Sequence, residues 1–258
     1  MKKTKYNIFD WRTLISLAVL VGLGLLVMSA IDSRKAARIS GLEVEILPLE
    51  GMTYLIQQEE VKNIIYEGYR RDVGELTLQN VDIAQIEQVL ESEPFIGNAD
   101  VFIQADRVLS IRVKQSKPAI RIMDNQGQAY YLTIEGTAFP VSRHASARVP
   151  VFTGDIPTFG SVGDTLTTKQ SAIVDIMHKI AEDQFAQKMI EQVHVNTKGE
   201  FYIQPKLGKF KFKLGTPTQL EDKMERFELA YKEIIPQKGW TRYRTIDLSF
   251  DDQIICKK

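Results

Sequence analysis

The chain has 258 residues, 44% hydrophobic and 26% charged, which supports one or two folded domains and excludes a disordered polypeptide. Lysine plus arginine equals aspartate plus glutamate at 33 each, so no net charge directs the chain to nucleic acid or to an acidic substrate. The single cysteine, Cys256, excludes an internal disulfide and a cysteine-clustered zinc site.

Thr13 to Ile31 is a run of nineteen uncharged residues dense in leucine and valine. A helix over it would be roughly 28 Å long, close to the ~30 Å hydrocarbon layer, so the run predicts one membrane crossing. Its length exceeds the ~7 to 15 apolar residues of a cleaved signal peptide, the competing reading that Met28 and Ala30 would serve. Trp11, Leu14, Leu17, Leu20, Leu23 and Leu26 are the expected anchor residues, with Trp11 at the membrane edge. Lys2, Lys3, Lys5 and Arg12 precede the run, and Arg34, Lys35 and Arg38 follow it, a margin of one positive charge. A first span acting as a signal anchor leaves residues 1–12 in the cytoplasm and the bulk outside it. Gly22 and Gly24 beside Ala18 are common small residues of such spans and carry little further meaning.

Beyond Ser40, Leu42, Val44 and Ile46 alternate with Glu43 and Glu45 as a half-buried strand. A helix is predicted from about Gln57 to Tyr69, with Val61, Ile64, Ile65 and Tyr69 on one face. A second helix opens at Asp82, paired with Gln85 as a capping box, buries Ile83, Ile86, Val89 and Leu90, and ends before Pro94. Two strands follow, Ala99 to Ala105 and Leu109 to Val113, joined by a turn at Asp106 and Arg107. The order is β-α-α-β-β.

In the second half, Ile173, Ile176, Met177 and Ile180 mark a helix. Three strands follow it, carried by Val193 and Val195, by Phe201 and Ile203, and by Phe210, Phe212 and Leu214. Turns at Lys198–Gly199 and Leu207–Gly208 separate them, and the short connections predict an antiparallel sheet. A last helix is predicted from Pro217, capped by Thr218 and Glu221, with Leu220, Met224, Phe227, Tyr231 and Ile234 inward. Ile246, Leu248 and Phe250 then alternate with polar residues as a strand that runs almost to the C-terminus. Termini fray unless something holds them, and a long apolar edge invites a partner.

Catalytic patterns are weak. His144, His178 and His194 have no metal-ligand spacing, and neither a nucleophile elbow nor a phosphate loop occurs; Gly160–Gly163 reads as an ordinary loop. The acid pairs Glu59–Glu60 and Asp251–Asp252 fit a helix start and a strand interruption. Lys209, Lys211 and Lys213 alternate with core residues as a solvated sheet face, with contact to anionic partners as the other reading.

The run "VDIAQIEQVLESEPFIGNADVFIQADRVLSIRVKQSKPAIRI" resembles the POTRA domain, in the version found in the bacterial cell-division FtsQ (DivIB) family. Pro94–Phe95 stands at the family's helix end and Lys117–Pro118 at its domain boundary. The segment "AYYLTIEGTAFPVSRHASARVPVFTGD" is similar to the family's strand, Gly turn and Pro-Val-x-x-Gly stretch, with Thr133 where many members carry an acid. "TIDLSFDDQIICKK" resembles its terminal strand, with Ser249 replacing an arginine and Phe250 a tyrosine.

The resemblance implies an α+β protein: a cytoplasmic tail (1–12), a transmembrane helix (13–31), a POTRA domain (40–116) and a β domain (117–258). It implies no catalysis and no cofactor, metal or small-molecule substrate. The implied role is a scaffold at the division septum of the inner membrane, binding FtsB and FtsL and acting indirectly on the synthases FtsW and FtsI. The closing strand would accept a strand of FtsB, with Phe250, Asp252, Gln253, Ile254 and Cys256 as contact residues and Phe250 dominant. The second POTRA helix and the edge strand around Val101 to Ala105 would be a further recruitment surface. Two rival readings are a POTRA-bearing secretion or outer-membrane assembly component and a membrane-anchored cell-wall enzyme. The first would repeat the module or continue into a barrel, and the second would need a pocket of converging polar groups.

Overall fold

In a computed structural model, residues 11–69, 73–160 and 165–258 are described. Helix α1 covers Trp11–Lys35, and its expected anchor residues Trp11, Leu14, Leu17, Leu20, Leu23 and Leu26 are 45–69% exposed. Among the described residues no helix is long and apolar enough to cross a membrane. For the expected span the structure therefore shows a helical backbone and not a crossing. Lys2, Lys3 and Lys5 lie outside the described residues, as do Ser161, Val162 and Gly163 of the Gly160–Gly163 loop. From α1 onward the chain forms two compact units. Among the described residues one comprises 11–46, 58–92 and 98–113, the other 47–57, 93–97 and 114–258.

The first unit follows the predicted order. It contains strand β1 (Gly41–Leu47), helix α2 (Gln58–Tyr69), helix α3 (Ile83–Glu91), and strands β2 (Ile96–Ile103) and β3 (Val108–Gln115). The sheet order is β1-β3-β2, so β2 is an outer strand. Alternation decides which side chains are buried: Val44 and Ile46 on β1, Ala99 and Val101 on β2, and Leu109, Ile111 and Val113 on β3. The helices add Val61, Ile65, Ile86 and Leu90 from their apolar stripes. The Asp82 carboxylate accepts the Gln85 backbone N–H at 3.1 Å and starts α3, as its position predicts. The turn between β2 and β3 is closed by Arg107 at φ 70°.

The second unit is built on one nine-stranded sheet. Its strands are β4 (Pro118–Met123), β5 (Ala129–Thr133), β6 (Ala138–Pro140), β7 (Val151–Gly154), β8 (Ile190–Val195), β9 (Phe201–Pro205), β10 (Lys211–Gly215), β11 (Thr245–Asp247) and β12 (Ile255–Lys257). The spatial order is β12-β11-β10-β9-β8-β7-β4-β5-β6. The expectation of an antiparallel sheet is corrected here. The predicted pairs β8–β9 and β9–β10 are antiparallel as expected, and β4–β5 is antiparallel as well, but β4–β7, β7–β8 and β10–β11 are parallel. Parallel neighbours need a long crossover. Helices α4 (Thr168–Glu182) and α5 (Gln184–Met189) provide it between β7 and β8, and α6 (Leu220–Leu229) with α7 (Ile235–Lys238) provides it between β10 and β11.

One face of this sheet packs on the helices. Phe152, Val193, Phe201, Ile203, Phe212 and Ile246 from the strands join Ile173, Ile176, Met177, Met224 and Phe227 from α4 and α6 in a single core. Helix α4 starts with a reciprocal Thr167–Gln170 capping box. Helix α6 does not use the predicted Thr218–Glu221 cap: it begins at Leu220, and its N-cap is Gln219, in the left-handed region at φ 52°, with no side-chain cap bond. Thr218 instead faces the Thr216 hydroxyl at 3.2 Å, and the buried Lys223 ammonium donates to the Thr216 carbonyl at 2.7 Å. The Thr218 hydroxyl is engaged with Thr216 and not with the helix backbone, so the local capping signal goes unused. Phe212 is fully buried, 4.7 Å from the Phe227 ring and 6.1 Å from Tyr231. Phe212→Ala is expected to cost about 3–5 kcal/mol, read as a lower midpoint in denaturant unfolding with an unchanged slope.

Candidate functional site

The last fourteen residues do not form one strand. β11 enters the sheet parallel to β10, with Lys211, Phe212 and Lys213 opposite Thr245, Ile246 and Asp247. The chain then turns back, and β12 pairs antiparallel with β11 through Thr245–Lys257, Ile246–Cys256 and Asp247–Ile255. This corrects the reading of Ile246 onward as a continuous terminal strand. Asp251 and Asp252 occupy the turn, Asp252 at φ 54°, a conformation that acids tolerate better than most residues. One edge of the sheet is consequently β12, and β6 is the other.

The predicted contact residues separate accordingly. Phe250, Asp252 and Gln253 lie in the connecting loop and are exposed, Phe250 at 48%. Ile254 and Cys256 are partly buried against the main core. Of the five only Cys256 is on the edge strand itself, and burial raises its thiol pKa. The structure thus gathers the five on one hairpin, with Phe250 projecting from its loop.

Two polar clamps, both missed by sequence reading, fix this hairpin. Asp247 is 1% exposed and accepts from Lys257 Nζ at 2.8 Å, from the Ser249 hydroxyl at 2.5 Å and from the Ser249 N–H at 3.1 Å. Burial pushes its carboxyl pKa up, but Lys257 and Ser249 together outweigh that and hold it below 3.8. The second clamp is Arg226 on α6, 7% exposed, which donates to the carbonyls of Phe250 and of Gln253, the latter at 3.0 Å. Asp222 holds the same guanidinium at 2.7 Å. Gly215, at φ 72°, admits the close approach of this loop: a Cβ there would lie 2.7 Å from the Ser249 Cβ. Neither Asp247 nor Arg226 carries a local signal, since each reads as a polar position on an amphipathic element.

On the face opposite the core, register aligns Thr153, His194, Tyr202, Lys213, Asp247 and Ile255 across six strands. Lys213 Nζ lies 2.7 Å from Glu200 and holds that carboxyl down at about 2, while Lys211 sits 4.9 Å over the Tyr202 ring. His194 Nδ1 is 3.1 Å from the Thr153 hydroxyl, and His178 Nε2 is 2.9 Å from the Ile134 carbonyl. Among the described residues no group of histidines, cysteines and acids is placed to hold a metal.

A family model described as FtsQ/DivIB, C-terminal related, matches residues 117–257, more than half of the chain. The chain belongs to the FtsQ/DivIB family. A second model, a POTRA-like domain, matches residues 41–114. No curated protein matches. FtsQ/DivIB membership makes this chain a bacterial cell-division protein of the scaffold kind, in a family of non-enzymatic, membrane-associated division components.

In this FtsQ/DivIB chain the Arg226 clamp leads to one testable expectation. Arg226→Met leaves two carbonyls of the hairpin loop without their donor and should loosen the hairpin by about 1–3 kcal/mol. Faster amide exchange in β12, with unchanged exchange in β8 and β9, is the measurement. The Asp247 clamp leads to another. A carboxyl held below 3.8 stabilises the fold fully above that pH and loses its contribution as pH falls through the lower folded value. Stability measured down to about pH 2 should therefore fall more steeply in the native chain than in Asp247→Asn, after allowing for the other acids the two share.

Proposed function

We propose that this FtsQ/DivIB chain is a membrane-anchored divisome scaffold whose β12 edge accepts an extended segment of FtsB. The observation that supports this reading is a sheet that ends on a strand held firmly on its inner side and, among the described residues, unpaired by any strand on its outer side. Strand addition there uses main-chain hydrogen bonds for affinity and alternate side chains for choice. Phe250 supplies an exposed aromatic anchor beside that edge, and Asp252, Gln253, Ile254 and Cys256 complete the contact. FtsL joins through the same assembly, and FtsW and FtsI are reached indirectly.

Residues 1–12 form the cytoplasmic tail, and the apolar run 13–31 within α1 is the membrane anchor. The POTRA domain occupies 40–116 and the β domain 117–258, both outside the cytoplasm at the division septum. The chain performs no reaction and requires no cofactor.

Capture of FtsB and FtsL by the full chain in detergent tests the reading. Phe250→Glu should weaken FtsB capture at least tenfold, equivalent to about 1.4 kcal/mol, and a chain stopped after Ser249, which lacks β12, should abolish it. Unchanged capture by both, with the β8–β9 amides still protected, moves the contact elsewhere. Peptidoglycan synthesis or hydrolysis by the purified chain would replace the scaffold reading with an enzymatic one.

A further inference from the structure

The first unit also ends on a strand. β2 is terminal in its sheet, and alternation turns the main-chain N–H groups of Ala99 and Val101 to its outer side. Those two donors are not left for another chain. Glu87 Oε1 accepts the Val101 N–H at 3.0 Å, and Glu91 Oε1 accepts the Ala99 N–H at 3.1 Å and the Asn98 side-chain amide at 2.9 Å. Both glutamates stand on α3.

The match follows from the geometry of the two elements. Residues four apart on a helix are separated by about 6 Å along its axis, and residues two apart on a strand by about 6.7 Å. Glu87 bonds the later strand residue and Glu91 the earlier one, so helix and strand run in opposite directions with their repeats in step. The carboxylates stand where carbonyl oxygens of a neighbouring strand would stand. Bonds to an ionised acceptor are shorter and stronger than neutral ones.

We infer that Glu87 and Glu91 close the β2 edge to strand addition. An incoming strand at β2 would have to displace two charge-assisted bonds and lay its own carbonyls beside two carboxylates. No comparable side chain is bonded to the outer side of β12 among the described residues. The closure limits the recruitment surface that the family resemblance implies around Val101 to Ala105. It stands on the α3–β2 contacts alone and does not need the β12 reading to hold.

Residue-resolved amide exchange on the full chain in detergent tests the closure. Glu87→Ala should speed exchange at Val101 about tenfold and leave Ala99 unchanged, and Glu91→Ala should do the reverse. Ile111, on the inner strand β3, reports whether the unit has stayed folded. Equal exchange in native and variant chains at both amides would overturn the inference. In sedimentation, the double variant Glu87→Ala/Glu91→Ala should associate more with rising concentration than the native chain, as opened edges pair between copies. Adding Val101→Pro, which removes a donor, should cancel that gain. Association equal to the native chain would show that the carboxylates do not close the edge. FtsB capture reports separately on β12, so either conclusion can fail without the other.

Discussion

A β-sheet that does not close on itself must end, and each end exposes a row of backbone donors and acceptors that burial or bonding has to satisfy. This constraint organises the molecule. The first unit ends at β2, where α3 supplies carboxylates to the outward N–H groups. The second ends at β12, which is secured from the inside only. These two edges, built from similar apolar strands, therefore present different chemistry: α3 bonds the outer side of β2, and among the described residues β12 pairs with β11 alone.

The stability of the β12 edge is borrowed from far along the chain. A three-residue strand contributes too few ladder bonds to hold itself, so the hairpin depends on Asp247 beneath Lys257 and on Arg226 behind the loop. A buried charge is tolerated only when it is paired and bonded, and both groups meet that condition. Asp247 accepts three bonds, and Arg226 joins Asp222 and two carbonyls. Gly215 completes the arrangement by letting Ser249 pass where a side chain would stand. The position of this hairpin thus rests on the parallel crossover through α6, because that crossover places Arg226 against the loop and β11 beside β10.

The aromatic core beneath carries the same logic into packing. Phe212 on β10 meets Phe227 and Tyr231 on the crossover helices, so the strand next to the hairpin and the helix that clamps it share one apolar cluster. The polar row on the other face, from Thr153 to Ile255, follows from alternation on the same strands. The lysines read as a solvated stripe do more than meet water there: Lys213 pairs with Glu200, and Lys211 covers Tyr202.

The sequence by itself determined the elements whose information is local. Alternation placed β1, β2 and β3, apolar stripes placed α2, α3 and α4, and glycines marked turns such as Gly199 at φ 77°. It also supplied the family, through the order of those elements. What it could not supply was anything set by register between distant segments. The parallel joins β4–β7, β7–β8 and β10–β11 depend on partners tens of residues away, and the start of α6 at Leu220 and the return of the C-terminus as β12 depend on contacts that no local pattern signals. Asp247 and Arg226 are ordinary polar residues until the fold brings Lys257 to one and two loop carbonyls to the other. A side chain's burial and charge partner are properties of the assembled sheet, and only the tertiary structure could decide that α3 bonds the outer side of β2.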